Sequence, residues 1–512
     1  MIATAPAVRL QPRSRTEAFM SGGRLLRLEL RHSAMLAMLP LTAALFWFDA
    51  YRPSMAEPPL WSLRAPTMQH GALLDFLLPV VGAAAWMGAR EHRRGVTDLA
   101  EIVARPRWIR QLYAWAAVTA WALAGYIICV GVLYAVTASQ APWGGPLWWP
   151  AVVGAAGLPA LAAVGFAAGS CFPSRFMTPL ISIGVFFLLG LSVNLTHGGT
   201  SFWQISPIIA GAVDIGADPG VATFYPYLPD LPIAQVMFLA GLTAAVLGAL
   251  GWTVASGGRM LRATAAAICL AGLAAAATAV GLAGTARLDR HGMMVIPALH
   301  DAANDKPIRY DPVCSKGTLP VCVNPAFAGY LPLLASALRP VVSQLAGLPG
   351  APDRILQAVP TFTQEPHDGI LVGDGGVAGA RYAPGLRVVG AALPDQLPGE
   401  RQPDVTSAQY ANQVRAQVGD AVVGYVLRTG KHDSLAQQAV RAALLMAAGV
   451  RLVPPGQRPD GLSMSARGLA PGTAVYRSAR QFAALPTATR RAWLSTHLIA
   501  LRAGRITLAE LP

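Results

Sequence analysis

Two cysteines beyond the middle of the chain are spaced for a bond to each other. Cys314 and Cys322 enclose the turn-like stretch SKGTLP, and valines flank the stretch on both sides. This pattern predicts a short hairpin closed by a disulfide, which is expected in an oxidising compartment. A two-cysteine metal site would need two further ligands, and neither a His nor another Cys lies nearby at ligand spacing. The pattern therefore favours the disulfide.

Motifs for nucleotide binding and catalysis are absent or weak. No G-x-x-x-x-G-K-[ST] run occurs, so the chain has no P-loop of its own for ATP. The run from Gly373 to Ala378 fits G-x-G-x-x-A, but RYAP follows in place of a helix, which favours a plain turn over a dinucleotide site. Histidines in the C-terminal part are scattered, and no H-E-x-x-H or G-x-S-x-G run occurs there. We expect no catalytic, cofactor or metal site in this chain.

Acidic residues are nearly absent from the apolar stretches of the chain. Asp75 is the one acid well inside a predicted span, and the sequence places it near the outer end of the second stretch. No series of Asp, Glu and His residues is placed for a proton relay. If the protein moves a substrate, we expect the energy to come from another subunit.

A short amphipathic helix is predicted in the loop between the second and third apolar stretches. Thr97 or Asp98 can begin it, and Asp98 and Glu101 fall in the first turn, where the helix dipole favours acids. Pro106 ends it. The apolar stripe at i, i+3, i+4 comprises Leu99, Ile102 and Val103. The basic residues of the loop are Arg93, Arg94, Arg105, Arg107 and Arg110.

Two interpretations of this helix remain open on the residues alone. A short amphipathic helix between two spans can dock into the groove of a cytosolic partner. It can equally lie on lipid headgroups, where Arg105, Arg107 and Trp108 would hold it.

Seven apolar stretches have about the length that a hydrocarbon core of about 30 Å requires of a helix. Fifteen of the seventeen arginines before residue 287 lie in the N-terminal segment or in alternate loops. Because short Arg-rich loops stay in the cytoplasm, we expect a cytoplasmic N-terminus and, after seven crossings, an extracytoplasmic C-terminal part. The stretches lie at roughly 34–50, 70–89, 111–137, 148–170, 176–195, 232–255 and 263–286.

Three regions follow from this topology. Residues 1–33 are cytoplasmic, and their last part, 20–33, is either an interfacial helix or a simple polar lead-in. Residues 34–286 form a polytopic α-helical membrane domain. Its loop at 196–231 contains FWQISPIIAGA, which is typical of a re-entrant or interfacial segment. Residues 287–512 form an extracytoplasmic α+β domain large enough for its own core.

Composition agrees with a membrane protein. Hydrophobic residues make up 54% of the chain and charged residues 13%, which fits a polytopic membrane protein better than a soluble one. The net charge of +14 is mostly explained by the Arg-rich loops, so we do not expect nucleic-acid binding.

The C-terminal part mixes strand and helix patterns. The residues at 369–372 are strand-like, and Ser434 with Gln437 fits a capping box that begins a helix running through Met446. Gly449 suits the end of that helix, and a last helix is predicted from Ala488 to Ala503.

The membrane part resembles the permease subunit of ABC-2-type transporters from actinobacteria. The resemblance lies in GRLLRLELRHS from Gly23 and in EHRRGVTDLAEIVARPRWIRQ from Glu91, and it covers about residues 20–286. Such permeases commonly carry an R-R-G-T-x-E-L-like coupling helix and a P-R-x-x-R stretch. Family members usually have six spans, so the seventh span and the C-terminal domain depart from the pattern. The matching positions here are Arg93, Arg94, Gly95, Thr97, Asp98, Leu99, Pro106, Arg107 and Arg110.

This resemblance implies the membrane subunit of an exporter in the plasma membrane. A separate cytosolic ATPase would carry the ATP and bind the predicted helix, and two permeases would pair with two ATPases. The lipid bilayer is the other partner. The alternative is a membrane-anchored extracytoplasmic enzyme, or an envelope-sensing or binding protein, whose spans only anchor it.

Overall fold

Long apolar helices dominate the first 286 residues. In this computed structural model the described residues are 15–95, 106–196, 201–210, 221–254, 259–289, 291, 293–365, 369–374, 376–394, 397–398, 406–428, 433–453, 463–465 and 472–512. We label the long helices of this part α1 Arg15–Arg31, α2 Ala34–Leu45, α3 Trp61–Gly88, α4 Arg107–Gln140, α5 Trp148–Cys171, α6 Met177–Asn194, α7 Asp230–Val254 and α8 Arg259–Gly284. Short helical segments lie at Phe46–Tyr51, Arg52–Ala56, Arg90–Arg93, Phe202–Ile205 and Val221–Phe224.

Within the described part, eight helices are long and apolar enough to cross a membrane. Seven of them coincide with the predicted stretches: α3 to α8, and α2 extended through a π-helical turn to Ala56. The eighth, Pro325–Leu345, was not predicted as a span. It is amphipathic, because it buries Leu334, Leu338 and Val341 in the core of the C-terminal part and exposes Arg339. We therefore treat it as an element of that core.

The second span begins earlier than the sequence predicts. The expected start was residue 70, but α3 begins at Trp61. The cause is a set of polar residues that are buried with partners: Arg64 donates to Gln140 Oε1 at 2.7 Å, and Gln69 donates to the carbonyl oxygen of Pro207 at 2.7 Å. Asp75 consequently lies at the centre of α3, so its predicted position near the outer end of the span is wrong.

The segment 201–210 lies inside the membrane domain without forming a long helix. Ile205, Ile208 and Ile209 are buried in the same core as α3 and α4. Gln235, on α7, donates from Nε2 to the carbonyl oxygens of Ser206 and Ile209, each at 2.8 Å, with the carbonyl oxygen of Gln204 at 3.3 Å. Irregular backbone at membrane depth is tolerated only where protein satisfies its polar groups, as it does here. This geometry agrees with the re-entrant interpretation of 201–210; residues 211–220 lie outside the described part.

Helices α7 and α8 approach each other closely along glycines. A Cβ atom added at Gly241 would lie 2.7 Å from the carbonyl oxygen of Gly272 and from the nitrogen of Ala276. One added at Gly248 would lie 2.5 Å from the nitrogen of Cys269. Small residues permit such backbone approach between membrane helices.

The C-terminal part is α+β. Its described strands are β1 Arg287–Leu288, β2 Met294–Val295, β3 Val313–Cys314, β4 Val321–Val323, β5 Arg354–Gln357, β6 Pro360–Glu365, β7 Gly369–Asp374, β8 Val388–Ala391, β9 Arg451–Val453 and β10 Ser463–Ser465. A mixed four-stranded sheet has the order β3-β4-β5-β8, with β4, β5 and β8 parallel and β3 antiparallel to β4. Three two-stranded sheets pair β1 with β2, β6 with β7 and β9 with β10. The helices are α9 Leu331–Leu345, α10 Ser407–Leu427, α11 Leu435–Ala447, α12 Ala474–Ala484 and α13 Thr487–Arg502, with 3₁₀ turns at Ala302–Asp305, Pro325–Tyr330 and Leu508–Glu510.

Local predictions for this part are confirmed. Cys314 lies opposite Cys322 in the antiparallel pair β3–β4, and the two form a disulfide. The Ser434 capping box begins α11, and Gly449 has the positive φ of a helix terminator. The predicted strand at 369–372 is β7, and residues 376–378 after it form no helix, which agrees with a turn.

Two hydrophobic cores meet at the junction of the two parts. One joins α2, α3, α4 and α5 and also includes Met294 and Ile296, from just after the last span. The other joins the sheet with α9, α10 and α11 and also includes Leu60, Phe224 and Tyr225 from the membrane part. Each part thus contributes buried side chains to the other's core.

Candidate functional site

The predicted docking helix lies outside the described residues. Those residues end at Gly95 and resume at Pro106. Thr97, Asp98, Leu99, Glu101, Ile102, Val103 and Arg105 are all within that interval, so the helix stays a prediction. The two ends of the interval are described, and they show what holds this loop.

One carboxylate ties the two ends of the loop together. Glu91, before the loop, accepts a hydrogen bond from Arg107 Nε at 2.9 Å. Its other oxygen lies 3.4 Å from Nη2 of Arg110. Both arginines belong to the first turn of α4, so Glu91 fixes the start of that helix against the end of α3.

A second ion pair ties the N-terminal helix α1 to the same place. Arg90 donates to both carboxylate oxygens of Glu29, each at 2.7 Å. The hydrogen bonds to Glu29 outweigh the effect of burial and raise the pKa of Arg90. Trp121 also donates to the carbonyl oxygen of Leu30 at 2.8 Å, so α1 packs along α4. We call Glu29, Arg90, Glu91, Arg107 and Arg110 the ion-paired platform.

The other two basic residues at this end have different surroundings. The guanidinium of Arg93 lies over the Trp86 ring, 3.2 Å from its centroid, and donates to the Trp86 carbonyl oxygen at 2.6 Å. Burial and the neighbouring charge of Arg94 lower the pKa of Arg93. Arg94 is exposed at the rim of a cavity. The predicted contact of these residues with headgroups stays a prediction.

This cavity, of about 470 Å³, lies beside the platform. Its apolar wall includes Leu25, Leu28 and Phe166, and its charged side includes Arg90, Glu91, Arg94 and Arg110. Three side-chain atoms of its lining residues lack hydrogen-bond partners among the described residues: Nε and Nη2 of Arg110 and Oε1 of the buried Gln111. All three are almost inaccessible to solvent, so a ligand in the cavity would reach them only after the side chains move.

Sequence reasoning missed a carboxyl pair within the membrane domain. Asp75 is buried at the centre of α3, and the Asp49 side chain, in the π-helical turn after α2, lies close to it. Cys129 on α4 is the other titratable group described near Asp75. Because the span begins at Trp61, Asp75 lies at the middle of the helix; its depth in the membrane stays a prediction.

A second missed constellation joins the membrane helices to the C-terminal part. Asp230 begins α7, is fully buried and accepts from the backbone nitrogen of Ile296 at 3.0 Å. His300 bridges two acids, with Nδ1 3.1 Å from Asp230 and Nε2 3.0 Å from Asp305. Burial opposes protonation of His300, but the two acids outweigh it and raise its pKa. The sequence offered one signal, an acid directly before an apolar helix.

The described residues contain no group of three or more His, Cys, Asp or Glu side chains that could hold a metal ion. No family model, curated protein or solved structure matches the chain.

Proposed function

We propose that the chain is the membrane subunit of an exporter that a separate cytosolic ATPase drives. The observation that carries the proposal is the ion-paired platform. Because Glu91 bridges to Arg107 and Arg110, a force on residues 96–105 is passed directly to α3 and α4. The pair of Arg90 with Glu29 extends that connection to α1. A loop held in this way is suited to receive movement from a partner.

The topology of the proposal rests on charge. The platform lies at the Arg-rich ends of α3 and α4, and Arg-rich short loops stay in the cytoplasm. With seven crossings the C-terminal α+β domain is extracytoplasmic, where a disulfide such as Cys314–Cys322 persists. The resemblance to ABC-2-type permeases adds a plasma-membrane location, two copies of this chain and two ATPases. Nucleotide would be bound by the partner.

The decisive experiment substitutes the apolar stripe of the predicted docking helix. Leu99→Asp with Ile102→Asp would place two carboxylates in the proposed interface, where an unpaired charge is costly. We expect the double variant to insert normally but to lose co-purification with the proposed cytosolic ATPase, together with stimulated ATP hydrolysis.

A matched control keeps the stripe apolar. Leu99→Met with Ile102→Val changes shape only slightly, so binding and stimulation should be retained. If the double aspartate variant binds and stimulates the ATPase like the control, residues 97–103 are not the coupling element. Reporter fusions test the topology separately: one at residue 400 should report the outside and one at residue 100 the inside.

A further inference from the structure

We propose that the cavity beside the ion-paired platform binds the headgroup of an anionic phospholipid. Its volume, about 470 Å³, lies within the usual range for small-molecule sites. Its lining combines an apolar wall with arginines, which matches a molecule that has a charged head and hydrocarbon chains. The proposal concerns lipid binding by this chain alone and does not depend on the ATPase.

The sign of the ligand follows from the charges that line the cavity. Among the described lining residues, Arg90, Arg94 and Arg110 face Glu29 and Glu91. Glu29 is fully engaged by Arg90, through two hydrogen bonds. Glu91 is shared between Arg110 and Arg107, the latter outside the lining. One positive charge therefore remains in excess in the lining, and a singly charged phosphodiester would balance it.

The hydrogen-bonding groups point to the same ligand. Arg110 is largely buried, and its Nε and Nη2 have no hydrogen-bond acceptor within the described part of the chain, although Nη2 lies 3.4 Å from Glu91. Buried donors are rarely left unsatisfied in proteins. A phosphodiester oxygen would satisfy them with charge-assisted bonds once the Arg110 side chain turns toward the cavity. The Oε1 of Gln111, which is also unsatisfied, can accept from a hydroxyl such as that of a glycerol headgroup.

The apolar wall accounts for the rest of a lipid. Leu25 and Leu28 come from α1, Phe166 from α5, and Met87 from the end of α3. These residues belong to helices that lead directly into apolar spans, so acyl chains can continue from the cavity along the membrane domain. Basic pockets between membrane helices commonly hold anionic headgroups on the cytoplasmic side. Free phosphate would satisfy the arginines but leave this wall uncovered.

The test uses the full-length protein, delipidated in detergent and then supplied with phosphatidylglycerol or phosphatidylcholine. Bound lipid is counted by native mass spectrometry. We expect the wild type to bind phosphatidylglycerol in preference to phosphatidylcholine. Arg110→Gln should weaken the binding of phosphatidylglycerol by roughly tenfold, because charge-assisted hydrogen bonds are lost. Arg94→Gln should reduce it by less. Because Arg94 is exposed, its replacement should leave the fold intact, so a loss of lipid binding in this variant reports on the cavity.

Arg175→Gln is the matched control. Arg175 is an exposed arginine of another Arg-bearing loop, stacked on Phe176 and outside the cavity, so its removal should leave lipid binding unchanged. The proposal is overturned if the wild type does not distinguish the two lipids, or if both cavity variants bind phosphatidylglycerol like the wild type. Displacement of the lipid by inorganic phosphate alone would also overturn it, in favour of a free-anion site.

Discussion

Replacing Gly241 by Ala tests the close approach of α7 and α8. The new Cβ would lie 2.7 Å from two backbone atoms of α8, whereas ordinary contact begins near 3.4 Å, so the shortfall is 3.4 − 2.7 = 0.7 Å. Backbone atoms cannot rotate away, and α8 must therefore shift. A gap of about 0.5–1 Å forfeits a quarter to a half of each dispersion contact that it opens. Overpacking of this kind costs about 1–3 kcal/mol.

Helix propensity acts in the opposite direction and provides the control. Ala is favoured over Gly in a helix by about 1 kcal/mol. Gly281→Ala, in the same helix pair, has no atom within 4 Å of its new Cβ and should be neutral or slightly stabilising. The net loss for Gly241→Ala is then up to about 2 kcal/mol. Adding Gly248→Ala should enlarge it.

The assay is thermal unfolding of the full chain in detergent, followed by tryptophan fluorescence. At about 2–4 °C per kcal/mol, Gly241→Ala should lower the midpoint by up to roughly 8 °C. Gly281→Ala should leave it unchanged or raise it. If the two variants shift the midpoint in the same direction, the reasoning about this helix pair is refuted.

Three further outcomes are expected. The pKa of His300 is raised in the folded state, so its bridge to the two acids stabilises the fold fully below the ordinary pKa of about 6.5 and less as pH rises through the folded value. The melting midpoint should therefore fall between acidic and alkaline buffer, and His300→Gln should remove this fall. Cys322→Ser opens a loop with a sequence separation of 8 and should cost about 2.5 kcal/mol, seen as faster proteolysis of the C-terminal part, whereas equal rates would contradict it. Arg441→Met leaves the largely buried Asp420 without its partner and should lower the free energy of unfolding by more than about 1 kcal/mol. Arg387→Met breaks an exposed pair and should cost clearly less, so equal losses in thermal unfolding would show that burial does not matter here.

The spans and the local turns were predictable because their causes are local. A run of about twenty apolar residues nearly free of charges is a strong local signal for a membrane-crossing helix. The α11 capping box depends on residues three positions apart, Ser434 and Gln437, and the hairpin disulfide on Cys314 and Cys322. Neighbours in sequence are neighbours in space for these elements, so the pattern was enough.

The misplaced and missed features all depend on distant partners. Arg64 and Gln69 read as loop residues from the sequence, yet in the fold they donate to Gln140 and to Pro207, which are far from them along the chain. The pairing of Glu29 with Arg90 spans 61 residues, so it could not be predicted from loop composition. The helical stretch Pro325–Leu345 also needed the fold to be understood. Its apolar composition alone does not distinguish a membrane-crossing helix from an amphipathic core helix.

The hydrogen bonds from Gln235 have a consequence for the order in which segments of the protein reach their final positions. Residues 201–210 leave the ribosome before α7, but the carbonyl oxygens of Gln204 and Ile209 accept hydrogen bonds from Gln235, a side chain of α7. At about 5–20 residues per second, Gln235 is synthesised roughly one to five seconds after residue 210. During that delay the segment cannot enter hydrocarbon without unsatisfied carbonyl groups. It must wait at the aqueous surface or in the translocon, so its seating is a late step of biogenesis.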